Sequence, residues 1–341
     1  MMNFKINDTQ VGDKNPCYII AEIGMNHNGD INLGKKMIQA AHNAGANAVK
    51  FQSFLTEKFL NKDFFDFEER KKYELNENEH IELKEYANDI GIDFFSTPLD
   101  ITSLDLLDKI GVGCFKIASC DLNNLDLIEK ISKKGKPVIF STGYAKIHEI
   151  HQAYNVLINN NCPDIGIMHC MASYPTSIEN MNLNNLSMLQ EMFPLAVIGY
   201  SDHSVDYELF PPVAVAMGAK IIEKHFTINR DLPGYDHSMS LNPDMFSKMV
   251  SNIRKVEESF GESRDLHKGL YECESERRNN ARRSLHWSKN IKKGQVIDES
   301  SFINLRPGKG IPPEFMKKFI GLHLTTDVKA HSFVEYSDIS R

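Results

Sequence analysis

Through about the first 260 residues one unit recurs: an amphipathic stretch, a glycine, then a short apolar run that ends in a polar residue. In the first such stretch Leu33, Met37, Ala40, Ala41 and Ala44 form a stripe with the spacing of one helix face, and the stretch stops at Gly45. The run Ala46 to Gln52 follows. The same punctuation returns at Gly91 before Ile92 to Thr97, at Gly111 before Val112 to Ile117, at Gly135 before Pro137 to Ser141, and at Gly218 before Ala219 to His225. Glycine there suits the left-handed residue that ends a helix. With Cys17 to Ile23, Ile165 to Cys170 and Val197 to Tyr200, the pattern predicts eight strands separated by segments long enough for crossover helices. Such alternation implies a parallel sheet, and eight units in about 250 residues predict an α/β fold, a closed (β/α)8 barrel over residues 1–262. An open doubly wound sheet is the alternative; no G-x-G-x-x-G follows the first strand.

After a helix expected near Asp244 to Phe260 the periodicity is lost. Residues 263–280 are charged and read as a linker with room for a helix. Residues 281–341 hold short runs and turn signals, among them Arg306-Pro307-Gly308-Lys309-Gly310, and predict a small, mostly β module. About sixty residues is near the lower limit for a self-standing core.

Composition narrows the reading. A formal net charge of −7 offers no basic surface for nucleic acid or anionic lipid. No apolar run approaches the roughly 20 residues that span a bilayer, and the N-terminus lacks a signal-peptide core, so a cytoplasmic location is expected. Six cysteines are scattered without a C-x-x-C pair, and most read as small buried hydrophobes.

In a barrel of this kind chemistry gathers where strands end. Those ends carry Glu22, Lys50 with Gln52, Thr97, Lys116 with Ser119 and Asp121, Ser141, His169 with Tyr174, Ser201-Asp202-His203 and Glu223-Lys224-His225. Any rim needs polar residues, but histidines, lysines and hydroxyls converging on one face are harder to explain as solvation. His203 and His225 end the seventh and eighth strands, which are neighbours in a barrel. Two neutral imidazoles there suit Mn²⁺, Fe²⁺, Co²⁺ or Zn²⁺, with Asp202 and Glu223 as candidate outer partners. Lys50 and Lys116, with Thr97, Ser119, Ser141 and Ser201, supply the donors that a carboxylate and a phosphate need. A strand-end lysine also serves Schiff-base chemistry, which keeps a lysine aldolase open. Glu22 is the best-placed general acid or base, with a salt bridge to a rim lysine as its alternative. Asp236 and His237 lie in the loop after the eighth strand, where a second substrate would arrive.

Together these residues resemble the sialic acid synthase family, which includes N-acetylneuraminate, legionaminic acid and pseudaminic acid synthases. The matches run along nearly the whole chain: Ala21-Glu22-Ile23-Gly24, Val49-Lys50-Phe51-Gln52, Ser96-Thr97-Pro98, Phe115-Lys116-Ile117-Ala118-Ser119, Tyr174-Pro175-Thr176, Gly199-Tyr200-Ser201-Asp202-His203, Glu223-Lys224-His225 and Arg306-Pro307-Gly308. The resemblance implies a metal-dependent condensation of phosphoenolpyruvate with an N-acyl hexosamine, either N-acetylmannosamine or a 2,4-diacetamido-trideoxy hexose, giving a nonulosonic acid and phosphate. It implies that His203 and His225 hold Mn²⁺, with Mg²⁺, Co²⁺ or Fe²⁺ as alternatives. Lys50, Thr97, Lys116, Ser119, Ser141 and Ser201 would surround phosphoenolpyruvate, and Glu22, Asp121 and Asp236 would be the catalytic carboxylates. Tyr174, Asp236 and Arg306 would meet the sugar. The last sixty residues would be an antifreeze-like (SAF) domain that swaps across a homodimer. A related synthase acting on another aldose is the nearest rival. Met171-Ala172 after the sixth strand, a tyrosine at 235 where proline is common, and a short charged and aromatic segment from Phe54 to Asn76 depart from the family pattern, all near the acceptor.

Overall fold

A computed structural model describes residues 3–12, 14–261 and 269–340. The chain divides into two compact units, Met1–Glu262 and Ser263–Arg341. In the first, eight parallel strands close on themselves: β1 (Tyr18–Gly24), β2 (Ala48–Ser53), β3 (Asp93–Pro98), β4 (Phe115–Ile117), β5 (Val138–Ser141), β6 (Ile165–Cys170), β7 (Val197–Asp202) and β8 (Ile221–His225). The last strand pairs with β7 on one side and with β1 on the other. This is the (β/α)8 barrel that the repeating pattern predicts. Every residue of β1, β6, β7 and β8 is buried, as expected of strands covered by helices outside and by side chains inside. The helix before β3, Glu77–Ile90, begins with an Asn76–Glu79 capping box and ends at Gly91, whose φ of +79° only glycine adopts cheaply.

Close strand packing demands small residues at particular levels. A Cβ on Gly199 of β7 would stand 2.7 Å from the Ile221 carbonyl oxygen and 2.8 Å from its Cβ on β8. Neither atom can give way without parting the strands. Gly199→Ala is therefore expected to destabilise the barrel by about 1–3 kcal/mol, read as a lower urea midpoint at unchanged slope. An unchanged midpoint would mean that β7 and β8 separate at no cost here.

Two features of this unit differ from the sequence reading. A hairpin, Asn3–Ile6 paired with Thr9–Gly12, precedes the barrel and buries Phe4, Ile6 and Val11 in its core. Asn7 Nδ2 and Tyr18 Oη donate to Asp93 at 2.6 and 2.7 Å, so the hairpin closes the end where strands begin. The fourth strand is also shorter than expected, starting at Phe115 rather than Val112. Gly113 lies against the Asn7 side chain, so the first half of that run meets the hairpin instead of a neighbouring strand.

Of the expected linker, residues 263–268 lie outside the described residues, and the rest holds the helix Glu272–Ala281. The second unit is built on short antiparallel pairs, Ser284–Trp287 with Phe302–Leu305 and His323–Leu324 with Ile339–Ser340. Its own core centres on the fully buried Trp287 among Leu285, Ile297, Phe302 and Leu324. Among the described residues no helix is long and apolar enough to cross a membrane.

Candidate active site

Side chains alternate along each strand, so every second residue near its C-terminal end faces the barrel interior. Glu22, Lys50, Lys116, Ser141, Ser201, Glu223 and His225 all reach that interior and are buried. Lys50 Nζ stands 3.2 Å from Glu22 and 3.2 Å from Glu223, and 3.3 Å from Thr97 Oγ1. Gln52 donates to Glu22 at 3.2 Å, and Ser201 to Glu223 at 3.1 Å. Lys116 donates to Ser141 Oγ at 2.7 Å and to the Ile117 carbonyl. Ser119 accepts from the Gly143 amide at 3.0 Å and touches Cys170 Sγ.

Two carboxylates and one lysine buried together cannot all keep ordinary proton affinities. Burial raises Glu22, and repulsion from Glu223 adds to it against the pull of Lys50, so the net direction is up. Burial works the same way on Glu223, but Lys50 and Lys116 outweigh it and hold that carboxyl low. Lys116 is drawn below its usual value by burial, whereas in Lys50 the two glutamates overcome burial and hold the proton.

His203 and His225 lie side by side, ring centroids 5.4 Å apart. Burial pushes their pKa values down, to about 4 and about 3, so both rings are neutral at working pH. Nδ1–H of His203 donates to the Met171 carbonyl at 2.9 Å, which fixes the tautomer and leaves Nε2 with its lone pair. His225 Nδ1 is buried with no hydrogen-bond partner among the described residues, and lies 3.7 Å from Asp236 Oδ2. Two neutral imidazoles with one orphaned nitrogen fit a divalent ion that takes the rest of its shell from water or substrate. Among the described residues no group of three or more His, Cys, Asp or Glu side chains is placed to complete such a shell.

The outer partners differ from expectation. Asp202 is on the opposite face from His203, where it accepts from Lys224 at 2.6 Å, from Tyr200 Oη at 2.9 Å and from Ser204. Strand alternation accounts for this: Tyr200 and Asp202 share one face, Ser201 and His203 the other. Glu223 faces inward but serves Lys50 and Ser201 rather than either histidine. His237 is fully buried between Thr227 Oγ1 at 2.7 Å and Asn28 Oδ1 at 3.2 Å, so it braces the loop after β8 against the loop after β1. It does not face the mouth, where its loop position predicts it.

At the rim, the Tyr174 ring lies 4.3 Å from His203 and stays half exposed. Asp121 is the last residue of the short 3-10 turn Ser119–Asp121 after β4, and burial raises its carboxyl to about 6. Burial raises Asp236 as well. Arg306 is exposed on the turn after Phe302–Leu305, in the second unit. From sequence, Glu223 has only an outer role and Gln52 is a strand-end residue without one, while the Met171 carbonyl is not visible at all. The inward alternation of Glu223 with His225 was the signal available for the first, whereas a main-chain oxygen leaves no trace in residue identity. All six cysteines are free, Cys170 buried beside His203.

The NeuB family model matches residues 37–265 and the SAF domain model residues 282–340. An uncharacterized protein of Methanocaldococcus jannaschii is 44% identical over 339 residues, 99% of each chain. The N,N'-diacetyllegionaminic acid synthase of Legionella pneumophila is 36% identical over 347 residues, 96% of each chain. Among solved structures, the N-acetylneuraminic acid synthetase of Leptospira borgpetersenii superposes with a TM-score of 0.76 at 36% identity, covering 81% of this chain and 95% of that one. With its barrel, its inward-facing set and these matches over most of its length, the chain belongs to the NeuB family of sialic acid synthase enzymes and ends in an SAF domain.

Proposed function

We propose that this protein condenses phosphoenolpyruvate with an N-acyl hexosamine, N-acetylmannosamine or a 2,4-diacetamido-trideoxy relative, to give a nonulosonic acid and inorganic phosphate. The observation that carries the reading is one buried mouth in which Lys50, gripped by Glu22 and Glu223, stands beside the neutral pair His203 and His225. The names of the synthase relatives support it.

In this reading Lys50 and Lys116 bind the carboxylate and phosphate of phosphoenolpyruvate. Thr97, Ser119, Ser141 and Ser201 add hydroxyl contacts, and C3 is turned toward the acceptor aldehyde. Attack of C3 on the aldehyde carbon forms the new C–C bond. Water adds at C2 while Glu22 takes its proton, and the adduct then breaks its C2–O bond to expel phosphate and leave a 2-keto acid. His203 and His225 would hold a divalent ion, Mn²⁺ foremost, which when bound supplies Lewis-acid polarisation of the aldehyde oxygen. Asp236 and Tyr174 border the acceptor. Cytoplasmic location and a homodimer in which Arg306 serves the sugar belong to the same reading.

The test is phosphate release by the purified full-length protein. Release is expected only with phosphoenolpyruvate, a divalent cation and an N-acyl hexosamine together. A lysine aldolase, favoured by the lowered proton affinity of Lys116, would instead act without phosphoenolpyruvate and be trapped by borohydride.

A further inference from the structure

The loop that carries Asp236 is tied down by polar side chains that no step above uses. Asn26, Thr227, His237 and Ser240 are all buried. Asn26 Nδ2 donates to Ser240 Oγ and to the Phe226 carbonyl, each at 2.9 Å, and Ser240 Oγ donates in turn to the Asp236 carbonyl at 2.6 Å. The Ser240 amide reaches the same carbonyl at 3.0 Å, so Asp236 opens a closed turn. Next to Asp236, the His237 ring lies between Thr227 Oγ1 at 2.7 Å and Asn28 Oδ1 at 3.2 Å, and Asn28 Nδ2 donates to the Pro233 carbonyl at 2.8 Å. A Cβ on Gly234 would stand 2.8 Å from His237 Cδ2 and 2.9 Å from Asn28 Oδ1, so the loop passes over this pair with no space to spare. Asn26 and Asn28 follow β1, the strand of Glu22, and the clasp therefore ties Asp236 to that strand's loop.

Donor accounting fixes the ring. Asn28 turns Nδ2 to the Pro233 carbonyl, which leaves Oδ1 facing His237 as an acceptor. Nε2 must then carry a proton. Burial draws the pKa of the ring down, and in the neutral ring Nδ1 takes the Thr227 hydroxyl hydrogen at 2.7 Å in preference to the Asn229 carbonyl at 3.1 Å. One tautomer is thus held at both ends. Buried polar groups that satisfy one another form a rigid unit. What this unit carries is Asp236, whose Oδ2 lies 3.7 Å from His225 Nδ1. A misplacement of about 1 Å in a group at the reacting end is enough to cost a large part of the rate.

We propose that His237, locked by Asn28 and Thr227, is a positioning residue that holds the Asp236 carboxylate where the acceptor meets it. This rests on the reading that Asp236 borders the acceptor of a phosphoenolpyruvate condensation.

The experiment is a double-mutant cycle on the full-length protein. Steady-state phosphate release is followed with phosphoenolpyruvate and N-acetylmannosamine or its 2,4-diacetamido-trideoxy relative, whichever the wild type turns over faster. His237→Leu removes both hydrogen bonds of the ring, His237→Gln keeps an amide donor for Asn28, and Asp236→Asn supplies the second background. His237→Leu is expected to lower kcat on the order of 10- to 100-fold, with KM for phosphoenolpyruvate within about twofold of wild type. His237→Gln should recover part of the loss. Thr227→Val deletes one bond and keeps the shape, so it should show a smaller loss of the same kind, and it carries the test if His237→Leu fails to fold. In the Asp236→Asn background each of these changes should alter kcat by no more than about twofold, because the group they act through is gone. Wild-type kcat in His237→Leu and Thr227→Val, or the same fold-loss in both backgrounds, would reduce the clasp to a purely stabilising one while leaving the condensation intact. Wild-type protein that releases no phosphate with either acceptor would overturn both.

Discussion

Glu22→Gln is expected to lower turnover by on the order of 10²- to 10⁴-fold while the barrel stays folded. Glu22 is buried against Lys50 and Gln52, and its raised proton affinity lets one carboxyl both hold and give up a proton near neutral pH. The form that assists water is the ionised one, so the wild-type rate should climb with pH across the range where Glu22 titrates. Glutamine removes that limb. Stability should run the other way. A carboxyl whose folded pKa lies above its unfolded value of 4.5 favours folding most when protonated. That contribution is fully present below the unfolded value and is lost as pH rises through the folded one. Glutamine mimics the protonated form, so urea midpoints measured above neutral pH should find the variant at least as stable as wild type. A variant that keeps its pH–rate limb, or most of its turnover, would move the base to another residue.

Removing the divalent ion proposed for His203 and His225 is expected to cost as much. Full chelation should abolish phosphate release and added Mn²⁺ should restore it, and His203→Ala or His225→Ala should lower turnover on the order of 10³-fold, the loss expected with a Lewis acid. Calorimetric titration with Mn²⁺ gives a readout independent of turnover: the wild type should bind about one ion per chain and each variant far more weakly, with melting temperatures little changed. The two rings meet only because β7 and β8 are paired, Ser201 opposite Glu223 and Asp202 opposite Lys224. Full activity in the presence of chelator would take the histidines out of the mechanism.

Much of the barrel was legible because local signals repeat. Gly45, Gly91, Gly111, Gly135 and Gly218 all carry positive φ and each ends a helix, so the strand that follows can be read from the next apolar run. The hairpin gave no such signal: Phe4 and Ile6 flank a single lysine in a four-residue strand, too short a pattern to separate from a coil. For the site, residue type and strand position together place Lys50, Lys116, Ser141 and the histidines inside. What residue type leaves out is which face a polar neighbour takes. Asp202 and Glu223 read alike in sequence, yet one is tied to Lys224 outside the barrel and the other to Lys50 within. Arg70 and Tyr235 come from loops far apart in the chain, and nothing local to either announces their stacking.

The division of labour along β8 has a genetic corollary. Glu223 and His225 look into the mouth, while Lys224 between them turns outward to clasp Asp202. Changes at the odd-numbered positions should thus surface as kinetic defects in protein of normal abundance, and changes at Lys224 as poorly accumulating protein whose surviving molecules still work. A single-codon insertion between Gly218 and Ile221 would exchange the two faces at once, sending a lysine into the cavity and an acid and an imidazole into the helical layer. Length variation among relatives should therefore be absent from that junction even where it is common in the loops at the opposite end of the same strand.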